Sequence, residues 1–302
     1  MHNDWSRYVQ TPEELYRSRA LRFHDGTREL WLDAIGAREG MDILEIGCGS
    51  GLFSHRLKQY LPGVHMTGLD RDSGLLAYAG AKAAELALDC DYVCGDALAM
   101  PFGDACFDLC YSHTVMEHLP ARPFLREQYR VLRPGGRVTA LSVRTNASLP
   151  EHGADDTTPE EQALWGKLSG AGEGKLPIPV CAWPLTESEY PKALEEAGFC
   201  CVDVKFFCVT YYAPDAPSTP PATALEQIEV GRLCALEEMA KTLRLAPDAL
   251  SGEERRRLAA LINARFDERI AAWRRGEKRW DMTAKMMLAA TGVKPSIFPF
   301  GC

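Results

Sequence analysis

Glu45, the glycines at 47, 49 and 51, and Asp70 have the types and spacing to hold a small ligand at the end of a sheet. A glycine-rich turn that opens a helix points backbone N–H groups at whatever lies in front of it. Gly47, Gly49 and Gly51 let the chain turn tightly and let the ligand approach with no Cβ between. Asp70, about twenty residues further along, ends an apolar segment, and a carboxylate there can accept hydrogen bonds from both hydroxyls of a ribose. Glu45, two residues before the first glycine, sets the sign of the ligand. Two unit charges ~4 Å apart at an effective dielectric of ~20 interact by about 4 kcal/mol. A pyrophosphate beside Glu45 is repelled on that order, and a cation is attracted. The third glycine of a dinucleotide turn is also missing, because position 52 is Leu52.

The elements that must position these groups follow from periodicity. Ile43 to Ile46 reads as a short buried strand, and Leu52, Phe53, Leu57 and Leu61 recur at helical spacing until Pro62-Gly63 stops the helix. Val64 to Asp70 is the expected second strand. Ser73 caps an alanine-rich helix to about Leu88, and Asp91 to Cys94 is a third short strand. Phe107 to Ser112 and Arg137 to Val143 supply strands four and five, and Cys201 to Tyr212 strand six.

Leu44-Glu-Ile-Gly-Cys-Gly-Ser-Gly51 closely resembles the first motif of class I S-adenosylmethionine-dependent methyltransferases of the small-molecule type. A sulfonium bearing an amino acid suits a carboxylate at Glu45. The resemblance implies that Glu45, Gly47, Cys48, Gly49 and Gly51 line the cofactor, S-adenosyl-L-methionine, with Asp70 on its ribose and Arg71 beside its adenine. Gly95-Asp-Ala-Leu-Ala-Met-Pro-Phe102 resembles the family segment in which an aspartate receives the adenine amino group. On that basis Asp96 is the adenine reader and the N–H of Ala97 meets a ring nitrogen, since neutral adenine needs an acceptor and a donor. Ser112 and His113, ending strand four, are expected under the sulfonium. His113 is the candidate general base, a spacer role being the alternative; Tyr111, Glu117 and His152 are further candidates, and His118 is expected to pack or hydrogen-bond locally. Leu132-Arg-Pro-Gly-Gly136 is a family marker with a structural role. The fold implied is a Rossmann-like α/β sheet of seven mostly parallel strands flanked by helices.

The resemblance covers about residues 40 to 143 by motif and 185 to 212 by general pattern. It does not reach a helical leader (1–39), in which Thr11-Pro-Glu-Glu14 carries helix-start signals and a capping box. Tyr16, Arg17, Arg19 and Arg22 lie on that leader, which either folds over the cofactor with an arginine by its carboxylate or only packs. Residues 146–183 read as a long loop with a short helix near Glu160 to Leu168; His152 and Trp183 are its candidate substrate contacts. Thr186-Glu-Ser-Glu189 is another expected capping box, starting a helix. Strand six does not turn straight back. Two helical stretches intervene over 214–280, as a lid, a dimer surface or an extra layer, before strand seven at Thr283 to Thr291. The methyltransferase domain is thus expected over 40–213 and 281–293. The tail Ile297 to Cys302 either tucks into the core or lines the pocket.

Composition bounds the partners. The net charge of −8 disfavours nucleic acid, which needs a concentrated basic surface. No apolar run is long enough to span a membrane, and Met-His-Asn-Asp-Trp lacks a signal-peptide pattern, so the cytoplasm is the expected compartment. Eleven cysteines, mostly within apolar runs such as Cys106, Cys110, Cys200, Cys201 and Cys208, are expected to be reduced core thiols. No C-x-x-C pair occurs and no metal site is expected. A small-molecule acceptor is the expected partner, and a homodimer is left open. Two alternatives to a methyltransferase stand beside it: a cofactor-binding regulatory protein without turnover, and a nicotinamide-dependent oxidoreductase.

Overall fold

Five apolar runs pair side by side in parallel, most of them joined by a helix that carries the chain back across the sheet. The computed structural model, which describes residues 4–148 and 157–296, forms them as β1 (Asp42–Ile46), β2 (His65–Asp70), β3 (Cys90–Cys94), β4 (Phe107–His113) and β5 (Leu132–Arg144). With β6 (Cys200–Thr210) and β7 (Ala284–Val293) they make a seven-stranded sheet in the order β3-β2-β1-β4-β5-β7-β6. β7 runs antiparallel to both neighbours, and the other pairs are parallel. The chain leaves β1 for one side of the sheet and later returns to its other side as β4. The carboxyl ends of β1 and β4 therefore flank a crevice.

Three leader helices come first, α1 (Asp4–Tyr8), α2 (Pro12–Ala20) and α3 (Arg28–Ile35), followed by α4 (Leu52–Tyr60), α5 (Ser73–Glu85) and α6 (Ala121–Val131). After β5 come α7 (Pro159–Leu168) and α8 (Glu189–Glu196), and between β6 and β7 lie α9 (Pro221–Leu245) and α10 (Gly252–Arg274). Period-2 alternation divides the strand side chains between two layers. Leu44, Ile46, Cys110 and Val138 pack with Phe124 and Leu125 of α6 and Tyr190 and Leu194 of α8. Ile43, Leu109 and Tyr111 pack on the opposite face with Trp31 of α3 and Phe53 and Leu57 of α4. A third core, around Leu164, Leu258 and Ile262, joins α7 to α10. The 214–280 segment is tied at its neck by Asp215. Its Oδ2 accepts from Arg269 Nη2 at 2.8 Å, Arg279 N–H at 3.0 Å and Trp280 N–H at 2.7 Å.

Local details differ from the sequence expectations. Asp72, not Ser73, caps α5, its Oδ1 accepting from the N–H of Gly74 at 2.9 Å and Leu75 at 3.2 Å; the helix ends at Glu85. Thr11 does cap α2, but the Glu14 carboxylate accepts from Gln10 rather than closing a reciprocal box. Ser188 occupies the N-cap of α8, and Thr186 instead donates its N–H and hydroxyl to Glu189. The Arg133–Gly136 turn is absorbed into β5 as a register shift opposite Phe107 and Leu109. Cys110 is buried, whereas Cys201 and Cys208 are exposed, because β6 is an edge strand whose outer face meets solvent. Cys48, Cys90, Cys94, Cys106, Cys110, Cys181 and Cys208 are free thiols. Among the described residues no His, Cys, Asp and Glu cluster could hold a metal, and no helix is long and apolar enough to cross a membrane. His152 and the 297–302 tail lie outside the described residues.

Candidate functional site

A cavity of about 370 Å³ opens at the carboxyl ends of β1, β2 and β4 and the loop after β3. Its walls include Glu45, Gly47, Cys48, Gly49, Asp70, Arg71, Asp96, Ala97 and His113. Two expected site residues do not line it. Gly51, at φ +82°, faces away: a Cβ there would lie 2.7 Å from the Tyr92 hydroxyl and 2.8 Å from Ala79 Cβ. It is a turn and packing glycine. Ser112 shares the β4 face of Cys110, toward α6 and α8, because adjacent strand residues point to opposite sides. Ser112 and His113 therefore cannot both lie under one ligand atom, as their adjacency in the chain suggested.

The glycine turn provides shape rather than donors. Gly47 and Cys48 give their N–H groups to the Leu69 carbonyl at 2.7 and 3.1 Å, and Gly51 gives its own to Cys48 at 3.0 Å. Gly49 N–H donates to Asp70 Oδ2 at 2.9 Å. Four of the five amides of the turn, residues 47–51, are therefore taken up inside the fold, which leaves a pyrophosphate few donors from the turn itself. The glycines do leave room: a Cβ at Gly47 would sit 2.5 Å from Val115 Cγ2, and one at Gly49 2.8 Å from Leu15 Cδ2.

Each carboxylate is braced. Glu45, on the β1 face toward α4, is only 3% exposed and accepts a hydrogen bond from the Ser54 hydroxyl. Burial pushes its pKa up to about 7, so the full unit charge assumed from sequence is present only in part at neutral pH. Asp70 holds the turn with one oxygen and accepts Asp72 N–H at 2.9 Å with the other; burial raises its pKa also. Each oxygen keeps a lone pair for a hydroxyl donor. Asp96 is exposed and folds its loop through Oδ1, which accepts Leu98 N–H at 2.8 Å.

The leader covers this cavity. Ser6 donates its N–H and hydroxyl to the Asp72 carboxylate at 2.7 and 2.9 Å, tying α1 to the residue that caps α5. Trp5 meets the His118 ring edge-on at 5.0 Å, and both line the cavity with Leu15 and Arg19 of α2. His118 Nδ1 accepts the backbone N–H of Cys181 at 2.8 Å, and Trp183, also on the wall, donates its backbone N–H to the Glu117 carbonyl at 3.0 Å. The Arg19 guanidinium has no hydrogen bond or ion pair among the described residues. Burial, then the nearby Arg22, depresses its pKa to about 9. Trp5 is not legible as a wall residue, since a helix of five residues carries no periodic signal, and Leu15 of α2 meets the glycine turn only through tertiary packing.

Of the four candidate bases, only His113 is on the wall; Tyr111 is buried and Glu117 half-buried off it, and His152 is outside the described residues. His113 packs against Phe53 at 4.6 Å and Trp31 at 5.5 Å, its Nε2 without a hydrogen-bond partner among the described residues. Burial first, then Arg19 and Arg22, hold its pKa well below 6.5. A ring so placed is neutral at physiological pH and a weak base. Below pH 6.5 the unfolded chain binds a proton at this position that the folded chain does not, so the site costs stability as pH falls. His113→Phe is therefore expected to gain stability relative to the parent as pH drops from 6.5, by up to about 1.4 kcal/mol per pH unit. Urea midpoints measured across that range check the slope; parallel curves would refute it.

Known proteins share this part of the chain. Residues 44–140 match the family described as a methyltransferase domain. The malonyl-[acyl-carrier protein] O-methyltransferase of Pectobacterium atrosepticum is 36% identical over 144 residues, covering 47% of this chain and 50% of that protein. The ubiquinone/menaquinone biosynthesis C-methyltransferase of Cereibacter sphaeroides is 35% identical over 123 residues, 38% of this chain and 49% of that one. The chain thus spans about half the length of the curated relatives it matches. In fold it is similar to Haemonchus contortus phosphoethanolamine N-methyltransferase 2, with a TM-score of 0.53, 16% identity, and coverage of 97% of this chain and 60% of that one. The sheet order, the glycine turn and these matches agree that the chain carries a methyltransferase domain of the class I S-adenosylmethionine-dependent type.

Proposed function

We propose that the chain transfers a methyl group from S-adenosylmethionine to a small-molecule acceptor. The observation that carries this reading is Arg19, a half-buried cation with no carboxylate partner among the described residues, on the wall of the cavity that also holds Asp70 and Asp96. A nucleoside at one end and an amino-acid carboxylate at the other answer both sets of groups. The Cβ-free cradle at Gly47 and Gly49 fits the same molecule.

In this reading Asp70 holds the ribose hydroxyls, Asp96 and the N–H of Ala97 read the adenine edge with Arg71 beside it, and Arg19 pairs with the carboxylate. Glu45, poised at about 7, recovers its charge when a cation approaches, so ligand binding near neutral pH releases a proton there. The bound donor supplies an already activated methyl group. What remains for the protein is alignment, and pre-organising two reactants is worth on the order of 7–11 kcal/mol. Phe53, Trp31 and Leu15 keep water away from the His113 side of the cavity. His113 offers a neutral imidazole for a hydrogen bond to the acceptor, a positioning role that its depressed basicity favours over proton removal. Transfer of label from methyl-labelled donor into extractable products, in assays with candidate acceptors, tests the proposal. Tight binding of the donor with no transfer to any acceptor would favour a regulatory protein.

A further inference from the structure

A second cavity, of about 500 Å³, lies between α2, α9, α10 and the chain around Tyr211. Arg19 lies on the walls of both cavities, so the two adjoin at this side chain. At about 370 Å³ the first cavity lies near the lower end of the ≈ 300–1,000 Å³ that ligand sites usually occupy, so a nucleoside amino acid leaves room there only for the reacting end of an acceptor, beside His113. The body of the acceptor needs other space.

The wall of the second cavity has a definite chemistry. Two of its four arginines are already neutralised: Arg265 pairs with Glu161 at 2.9 Å, and Arg269 with Asp215 at 2.8 Å and Asp281 at 2.6 Å. Arg19 and Arg22 have no carboxylate partner among the described residues. Arg22 donates through Nε to the Tyr211 hydroxyl at 2.7 Å, which fixes the direction of its guanidinium fork. Arg269 is 5% exposed, and its Nη1, like Gln227 Oε1, has no hydrogen-bond partner among the described residues. Glu14 accepts from Gln10 at 3.2 Å and is raised in pKa by burial, which weakens the one carboxylate of this wall without a cation partner among the described residues. Leu21, Ile228, Val230 and Phe266 make the apolar remainder.

We infer that this cavity is the acceptor site and that its occupant is a carboxylate with an apolar body, its oxygens held by Arg22. The inference rests on the donor reading of the first cavity, which assigns Arg19 elsewhere and leaves Arg22 as the unclaimed cation. A guanidinium whose fork is fixed by a second hydrogen bond matches a planar carboxylate in two parallel bonds. The 214–280 insertion then serves the acceptor, because α9 and α10 form the outer wall against its apolar part.

Calorimetry on the full chain saturated with S-adenosylhomocysteine tests this. The probes are 4-hydroxybenzoate, cinnamate and octanoate, each paired with its primary amide. At least one acid is expected to bind at least tenfold more tightly than its amide. Arg22→Met is expected to erase that preference and leave S-adenosylhomocysteine affinity unchanged, while Arg22→Lys keeps part of it. Acids and amides binding alike, no acid binding, or an Arg22→Met protein that still prefers the acid would each overturn the inference. Failure to bind S-adenosylhomocysteine with acid preference intact would instead remove the donor reading and leave the carboxylate site standing.

Discussion

Asp70→Ala should lower the affinity for S-adenosylhomocysteine by at least a hundredfold while the protein stays folded. Asp70 carries two loads: it accepts the N–H groups of Gly49 and Asp72, which fixes the turn, and it presents the remaining lone pairs to the ribose. Hydrogen bonds to a charged group are worth about 1.5–3 kcal/mol each, so losing two toward the ligand reaches that factor. Asp70→Asn is the control, since it keeps an oxygen acceptor but replaces the other with a donor that opposes Gly49 N–H. Both variants should weaken binding, alanine more. Calorimetry showing unchanged affinity for Asp70→Ala would detach this carboxylate from the ligand.

The second large effect has opposite signs in binding and in stability. Arg19 is half-buried by surface area and lies between two cavities, and its pKa, lowered to about 9 from 12.5 by burial, reflects the cost of holding a charge there. A basic group whose folded pKa lies below its unfolded value destabilises the folded chain most where both states are protonated, below about pH 9. That cost fades as pH rises from about 9 toward 12.5. Arg19→Met should therefore raise stability at neutral pH, by about 1–3 kcal/mol once partial solvation is allowed for. The same change removes the partner of the ligand carboxylate and should weaken S-adenosylhomocysteine binding tenfold or more. A thermal melt and a titration on one preparation check both halves. A variant that loses stability, or binds as well as the parent, would contradict the assignment.

The strands, their order and the turn were legible because their signals are local. A buried strand running into glycines is recorded in consecutive residues, and so is a carboxylate twenty positions on. What the sequence hid was direction and occupancy. Ser112 and His113 are neighbours in the chain yet point to opposite layers. Gly51 belongs to the same motif as Gly49 but faces Tyr92. The turn's amides looked available until the Leu69 carbonyl and Asp70 were seen to accept them. Glu45 looked fully charged because burial beside Ser54 is a tertiary fact. Arg19 was one of several leader arginines, and its isolation emerges only when α2 lies over the glycine turn with Arg17 turned outward to Glu226. The second cavity could not be read at all, since its walls come from segments some two hundred residues apart.

On the proposed reading, the first cavity receives a cationic nucleoside and not a phosphate-bearing one. Side-by-side calorimetric titration with S-adenosylmethionine and NAD decides it. The groups on the wall predict saturable one-to-one binding of the first, with a proton release that fades above about pH 7 as Glu45 ionises in the free protein, and no heat from the second. Binding of NAD with none of S-adenosylmethionine would contradict it.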